Sequence, residues 1–202
     1  MRKFAGDTLL VATHNAGKLE EIANLLAPYR VGVIGAGDRN LPEPEETETT
    51  FAGNARIKAH AAARATSLPA LSDDSGIEID ALDGAPGVYT ANWAETETVR
   101  DFPMAMRKTH DRLLQSGVAQ PWTARFRCAL VLAWPDGHDE VFEGTVEGRI
   151  VWPMRGEQGH GYDPIFQPDG HDQTFGEMDR WEKNRISHRA RAFAGLVAGC
   201  FD

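Results

Sequence analysis

The chain has few cysteines: Cys128 and Cys200 are the only two among its 202 residues, and they lie far apart. Their spacing matches no metal-binding pattern, and a disulfide-rich secreted scaffold would need more cysteines. Two reduced cysteines in a cytoplasmic protein are therefore the favoured interpretation.

Long hydrophobic runs are also missing. No apolar stretch approaches the ~20 residues that a membrane-spanning helix requires. The first segment, MRKFAGDTLLVATH, begins with basic residues, but its apolar run is too short for a secretory signal peptide. We therefore expect no membrane partner.

Positive charge is in the minority, with 21 Lys and Arg against 30 Asp and Glu and a formal net charge of -9. This balance argues against general affinity for the nucleic acid backbone, although a local basic pocket for a small polyanion stays possible. The apolar share of 42% and the charged share of 25% are ordinary for a globular protein. The length suits one domain over residues 1–202, or two small lobes.

Strand-like and helix-like patterns alternate along the chain. We expect helices at residues 16–27, 50–65 and 97–115, and a tail helix whose N-cap is Ser187. Strands are expected at 8–13 and 31–34, with strand-like pieces on either side of Asp73–Gly76. A hairpin should join residues 124–134 to 139–151. This alternation predicts an α/β fold with a mixed sheet.

The first polar motif, Thr13-His14-Asn15-Ala16-Gly17-Lys18, falls where the first strand should meet the first helix. Such a junction attracts anions because of its backbone N–H groups and the helix dipole, and a lysine adds positive charge. A standard phosphate loop is not present, since Ala12 and Leu19 replace its first glycine and its final hydroxyl residue. The alternative is a plain turn with a solvated lysine.

Two acidic motifs follow. Glu45-Glu46-Thr47 lies in an acidic loop and could supply a carboxylate to magnesium; alternatively the loop is merely solvated, and Thr47 or Thr49 caps the next helix. Asp73-Asp74-Ser75-Gly76 could place a carboxylate at a strand end, to bind a metal or orient water, or could simply form a turn.

Two further motifs lie near the C-terminus. In GHGYDPIF, residues 159–166, the glycines allow a ligand to approach the backbone, and the rings of His160 and Tyr162 could stack on a purine. The alternative is a turn with a core tyrosine. The last motif, RWEKNRISHRAR at residues 180–191, is basic, and a helix should begin in it near Ser187. A helix start with basic residues can bind an anion. The alternative is a solvated basic face.

The order of these motifs closely resembles one family, the inosine triphosphate pyrophosphatases, also called XTP/dITP diphosphatases. The resemblance extends from residue 9 to about residue 197 and rests on seven blocks: T-H-N-A-G-K, E-E-T, F-x-x-N-A-x-x-K-A, S-D-D-S-G, G-A-P-G-V-Y, G-x-G-Y-D-P-I-F and E-K-N-x-x-S-H-R.

The resemblance implies a two-lobed α/β fold around a long mixed sheet, a homodimer, and Mg²⁺-dependent hydrolysis of ITP, dITP or XTP to the monophosphate and pyrophosphate. It implies Mg²⁺ on Glu46 and Asp74, with Asp74 also the catalytic general base, and Lys58 near the phosphates. The substrate-binding residues that it implies are Thr13, His14, Asn15, Ala16, Gly17, Lys18, Ser75, His160, Gly161, Tyr162, Asp163, Lys183, His188 and Arg189.

Two positions depart from the family pattern. His160 stands where the family often has Phe or Trp, and Asn92 stands where it commonly has Arg. Two other functions are therefore considered: a pyrophosphatase for other modified nucleotides, and a nucleotide-binding protein without catalysis. The presence of both Glu46 and Asp74 argues against the latter, because binding alone needs no base.

Overall fold

The computed structural model of the chain describes residues 1–14 and 16–201, and these form six β-strands and five α-helices. In chain order they are β1 (Thr8–Val11), α1 (Ala16–Leu26), β2 (Gly32–Gly35), α2 (Phe51–Thr66), β3 (Ala70–Ile79), α3 (Phe102–Ser116), β4 (Trp122–Ala133), β5 (Asp139–Ile150), β6 (Phe166–Pro168), α4 (Arg180–Ile186) and α5 (His188–Leu196). Among the described residues, no helix is long and apolar enough to cross a membrane.

The strands form one sheet in the order β2-β1-β3-β4-β5-β6. Strand β1 runs parallel to β2, with Thr8 opposite Gly32, and parallel to β3, with Leu10 opposite Ala70. Strand β6 is antiparallel to β5, with Pro168 opposite Gly148. The predicted α/β fold with a mixed sheet is confirmed.

The chain divides into two compact units. Unit 1 contains Met1–Asp74, Ala129–Glu143 and the segment from Ala192 onward, and unit 2 contains Ser75–Cys128 and Gly144–Arg191. The core of unit 1 is built on small side chains of α2 and strand residues: Leu10, Ala55, Ala59, Ala63, Ala70 and Val131. The core of unit 2 is richer in aromatic rings, including Trp122, Phe126, Tyr162, Phe166 and Phe175.

Two helix starts differ from the prediction. Helix α2 is capped by Thr50, whose hydroxyl accepts a hydrogen bond from Gly53 N–H at 3.0 Å, so capping by Thr47 or Thr49 was wrong. Helix α3 begins at Phe102 rather than at residue 97. The reason is that the Asp101 side chain accepts from Met104 N–H at 2.8 Å, which fixes the helix start there.

Strand β3 is continuous from Ala70 to Ile79, so the turn considered at Asp73–Gly76 was wrong. Both aspartates lie inside a buried strand. At the C-terminus, Ser187 caps α5 as predicted, its hydroxyl accepting from Ala190 N–H at 3.2 Å. The separate short helix α4 before Ser187 was not predicted.

Candidate active site

Unit 1 presents the predicted phosphate-binding motif between a strand and a helix. Strand β1 ends at Val11 and α1 begins at Ala16, so Thr13 and His14 lie in the connection. Lys18 is in the first turn of α1. Asn15 lies outside the described residues, and of Ala16 and Gly17 only the helical backbone is described. A helix start of this kind favours anions through its exposed N–H groups.

Lys18 and His14 each have a defined partner in unit 1. The ammonium group of Lys18 lies 2.9 Å from a carboxylate oxygen of Asp73, whose side chain is buried. The alternative of a fully solvated lysine is therefore wrong. The ring of His14 is hydrogen-bonded through Nε2 to the carbonyl oxygen of Leu41 at 2.8 Å, and Leu41 opens the acidic loop, residues 41–49.

Lys58 of α2 forms an ion pair with the acidic loop. Its ammonium group lies 2.5 Å from Glu46 Oε1. Burial lowers the pKa of Lys58, but the charges of Asp73, Asp74 and Glu46 outweigh burial, and the pKa is raised overall. We call the side chains of Lys18, Glu46, Lys58, Asp73 and Asp74 the carboxylate–lysine cluster.

Asp74 is a carboxylate of this cluster whose pKa is clearly raised. It is buried, with 8% of its surface exposed, and burial raises its pKa from 3.8 to about 6. Glu46 and Asp73 raise it further, while Lys58 and a hydrogen bond from the Asn54 side chain act in the opposite direction. A carboxylate with this pKa can accept a proton near neutral pH, as a general base must.

The donor set of the cluster fits magnesium. No group of three or more His, Cys, Asp or Glu side chains capable of enclosing a metal occurs within residues 1–14 and 16–201. Glu46 and Asp74, however, are close enough for Glu46 to raise the pKa of Asp74. Magnesium is commonly held by one or two carboxylates together with substrate phosphates and water, so this pair matches its preference.

In unit 2, the GHGYD loop, residues 159–163, folds around one carboxylate. Asp163 Oδ2 accepts the backbone N–H of His160 at 2.5 Å and also accepts from the ammonium group of Lys183. Gly159 has φ of +78°, and a Cβ at this position would overlap the Asp163 carboxylate. The glycine is therefore required for the loop to close over Asp163.

The two rings of this loop lie in different environments. His160 is exposed, whereas Tyr162 is 1% exposed and packs edge-on against Phe102 in the core. Burial raises the pKa of Tyr162 to about 12. Stacking of a purine on the Tyr162 ring was therefore a wrong expectation, and the core tyrosine is correct. A contact through its backbone stays a prediction.

The remaining predicted residues lie on β3 and α5. Ser75 follows Asp74 in β3 and is half-buried. His188 begins α5 and stacks on Phe126, with ring centroids 5.0 Å apart and planes 13° apart. Arg189 follows in the first turn and is half-buried.

The chain matches a known family over almost its whole length. The model of the Ham1 family matches residues 9–199. The chain belongs to the Ham1 family. It is 70% identical over 200 residues to a dITP/XTP pyrophosphatase of Ruegeria pomeroyi, covering 99% of this chain and 98% of that protein. It is 57% identical over 213 residues to a dITP/XTP pyrophosphatase of Agrobacterium fabrum, with full coverage of both chains.

Solved structures of similar proteins share the fold. A HAM1 protein from Coxiella burnetii superposes with a TM-score of 0.89 at 36% identity, covering 95% of this chain and 96% of that one. A dITP/XTP pyrophosphatase from Mycobacterium abscessus gives a TM-score of 0.76, also at 36% identity, covering 94% and 98% of the two chains.

Sequence reasoning missed two residues of this Ham1 chain. Asp73 was considered only as one of two candidate carboxylates and was assigned no function, yet it holds Lys18. Asn54 appeared only as a letter of the block F-x-x-N-A-x-x-K-A, yet it binds Glu48 N–H and lies beside Asp74. One signal was available for Asn54. It precedes Lys58 by four positions on a predicted helix, and residues at this spacing share a helix face.

Proposed function

We propose that this chain hydrolyses deaminated purine nucleoside triphosphates, namely ITP, dITP and XTP, to the nucleoside monophosphate and pyrophosphate. The names of its relatives in the Ham1 family support this substrate class. The observation that carries the chemistry is Asp74, a buried carboxylate with a pKa of about 6, between a second carboxylate and a lysine. A protein that only binds nucleotides would have no use for such a base.

Asp74 is assigned as the residue that orients a water molecule and accepts its proton. The water oxygen bonds to the α-phosphorus, the bond from that phosphorus to the bridging oxygen breaks, and pyrophosphate leaves. Glu46 and Asp74 would hold Mg²⁺, which when bound neutralises charge on the triphosphate and favours loss of a proton from water. The position of Lys58 beside both carboxylates supports this assignment.

Lys18 and the start of α1 are assigned to the phosphates, with Lys58 nearby. In the structure, Lys18 is held by Asp73 and Lys58 by Glu46, so both ammonium groups are already oriented within unit 1. Preorganised positive charge of this kind stabilises charge that develops on a leaving phosphate.

The purine base is assigned to residues 160–163, Lys183, His188 and Arg189. Asp163, which is buried, and Lys183, which is half-buried, form an ion pair, so both the acceptor and the donor are fixed in place. A hydrogen-bond donor that faces the 6-oxo group of hypoxanthine or xanthine would, with adenine, face the 6-amino group, which is itself a donor. An unpaired buried polar group costs ~1–3 kcal/mol, which corresponds to a preference against ATP of roughly 5- to 150-fold.

We further propose that the enzyme acts as a homodimer in the cytoplasm. The family resemblance supports the dimer, and two buried cysteines that form no disulfide suit a reducing compartment. Light scattering coupled to size-exclusion chromatography tests the dimer, which a single species at the monomer mass of 22.2 kDa would contradict.

A second candidate is pyrophosphatase activity on other modified nucleotides. The exposed imidazole of His160, in place of a larger aromatic ring, favours this alternative because it offers less apolar area to a purine. Both candidates use the same carboxylate–lysine cluster and differ only in the base that is accepted.

Product analysis with ITP, dITP, XTP and ATP, with and without Mg²⁺, tests the proposal. We expect pyrophosphate and monophosphate from the three deaminated substrates, little turnover of ATP, and none without a divalent ion. Orthophosphate as the first product would contradict the proposed cleavage site. Faster turnover of modified pyrimidine triphosphates would favour the second candidate.

A further inference from the structure

Asn54 is a buried polar residue of α2 that has no role in the function proposed above. It is 2% exposed and lies within the first turns of the helix. A buried amide side chain is tolerated when its hydrogen-bonding groups are satisfied, so its partners indicate what it does.

Its two partners belong to two different segments. The side-chain oxygen of Asn54 accepts the backbone N–H of Glu48, in the acidic loop, at 2.9 Å. Its side chain also lies beside the Asp74 carboxylate on β3 and lowers the pKa of that carboxylate. Because the oxygen of Asn54 accepts from Glu48, its amide NH₂ is the group that can donate to Asp74.

Glu48, near the end of the acidic loop, also packs closely against the first turn of α2, at Gly53. A Cβ at Gly53 would lie 2.7 Å from the Cβ of Glu48, so only a glycine leaves room for this approach. One turn further along the same face, Lys58 binds Glu46. Helix α2 therefore fixes the acidic loop at Glu48 through Asn54 and at Glu46 through Lys58.

We propose that Asn54 is a positioning residue that couples the acidic loop to Asp74, so that Glu46 and Asp74 bind one divalent ion together. This inference rests on the proposed function, in which these two carboxylates hold Mg²⁺. The carboxylates come from a loop and a strand, and Asn54 contacts both segments. Groups that orient metal ligands typically contribute 10- to 100-fold to metal affinity.

The direct test measures binding of Mn²⁺ alone by electron paramagnetic resonance, which counts unbound Mn²⁺ and needs no turnover. We expect Asn54→Ala to weaken Mn²⁺ binding by about tenfold. Asn54→Ser, whose one hydroxyl cannot span both partners, should fall between Asn54→Ala and the wild type. In turnover of ITP, kcat should fall while KM changes little, because the phosphate and base contacts remain.

A matched control separates positioning from helix stability. Thr50→Ala removes the N-cap of α2 and should lower stability by ~1 kcal/mol without touching either carboxylate. A double-mutant cycle with Glu46→Gln adds a second criterion. Once Glu46 no longer binds the ion, Asn54→Ala should weaken Mn²⁺ binding much less than it does in the wild type.

The Mn²⁺ affinities of these variants either support the positioning role of Asn54 or overturn it. A weakening confined to the Asn54 variants and lost in the Glu46→Gln background supports it. The inference is overturned if Asn54→Ala binds Mn²⁺ with wild-type affinity, or if it loses no more affinity than Thr50→Ala does. It is also overturned if the effects of Asn54→Ala and Glu46→Gln on Mn²⁺ affinity are fully additive. If Glu46→Gln and Asp74→Asn both bind Mn²⁺ like the wild type, the metal assignment itself fails, and the inference fails with it.

Discussion

Replacing Asp74 with asparagine should stabilise the folded protein at neutral pH and remove its turnover. Burial raises the pKa of Asp74 from 3.8 to about 6, which means that folding disfavours the charged form of this side chain. Asparagine has nearly the same shape and carries no charge, so Asp74→Asn removes this penalty. It also removes the proposed general base, whose loss should lower kcat by ~10²–10⁴-fold.

The size and sign of the stability effect follow from linkage. Between pH 4 and 6 the folded state binds more protons than the unfolded state, so the free energy of unfolding of the wild type falls as pH rises. With ~1.4 kcal/mol for each pKa unit, the shift from 3.8 to about 6 amounts to at most about 3 kcal/mol. The advantage of Asp74→Asn should be absent near pH 4 and complete above about pH 7.

Urea denaturation of the metal-free wild type and of Asp74→Asn, in EDTA at several pH values between about 4.5 and 8, measures this difference. The gap in the free energy of unfolding should widen with pH. Added Mg²⁺ should then stabilise the wild type more than the variant, because it binds the folded carboxylates. A gap independent of pH, or a variant less stable than the wild type at pH 8, would refute the reasoning.

Three other substitutions are informative. Lys18→Ala should weaken triphosphate binding, measured by calorimetry, by about 10- to 100-fold and monophosphate binding far less; equal losses would move Lys18 away from the distal phosphates. His160→Phe, which offers a purine a larger apolar ring, should lower KM for ITP; an unchanged KM would remove the His160 ring from the base contacts. Gly159→Ala should lower kcat/KM for ITP by displacing Asp163, whereas Gly170→Ala, with φ of +79° and open space around it, should not; equal effects would reduce the role of Gly159 to backbone strain.

The sequence was sufficient for the fold class and for most element positions. The sequence located β1 from its short apolar run, α1 from its apolar face and α2 from its alanine content, and Ser187 was recognised as an N-cap from its residue type. The start of α3 was misplaced because several polar residues before Asp101 could begin a helix, and only the observed Asp101–Met104 hydrogen bond selects one.

The environment of individual side chains was harder to predict. Asp73-Asp74-Ser75-Gly76 has the composition of a turn, yet it lies inside the continuous strand β3, where both aspartates are buried. The ring of Tyr162 could have faced a ligand or the core, and only the packing against Phe102 decides. The Lys18–Asp73 pair spans 55 residues and the Lys58–Glu46 pair spans 12, so local patterns carry no information about these two pairs.

Hydrolysis of ITP in ¹⁸O-labelled water tests most directly the central claim that water attacks the α-phosphorus under the control of Asp74. Mass spectrometry of both products locates the label. We predict ¹⁸O in the inosine monophosphate, unlabelled pyrophosphate, and almost no labelled product from Asp74→Asn. Label in pyrophosphate or orthophosphate, or undiminished turnover by Asp74→Asn, would contradict the account.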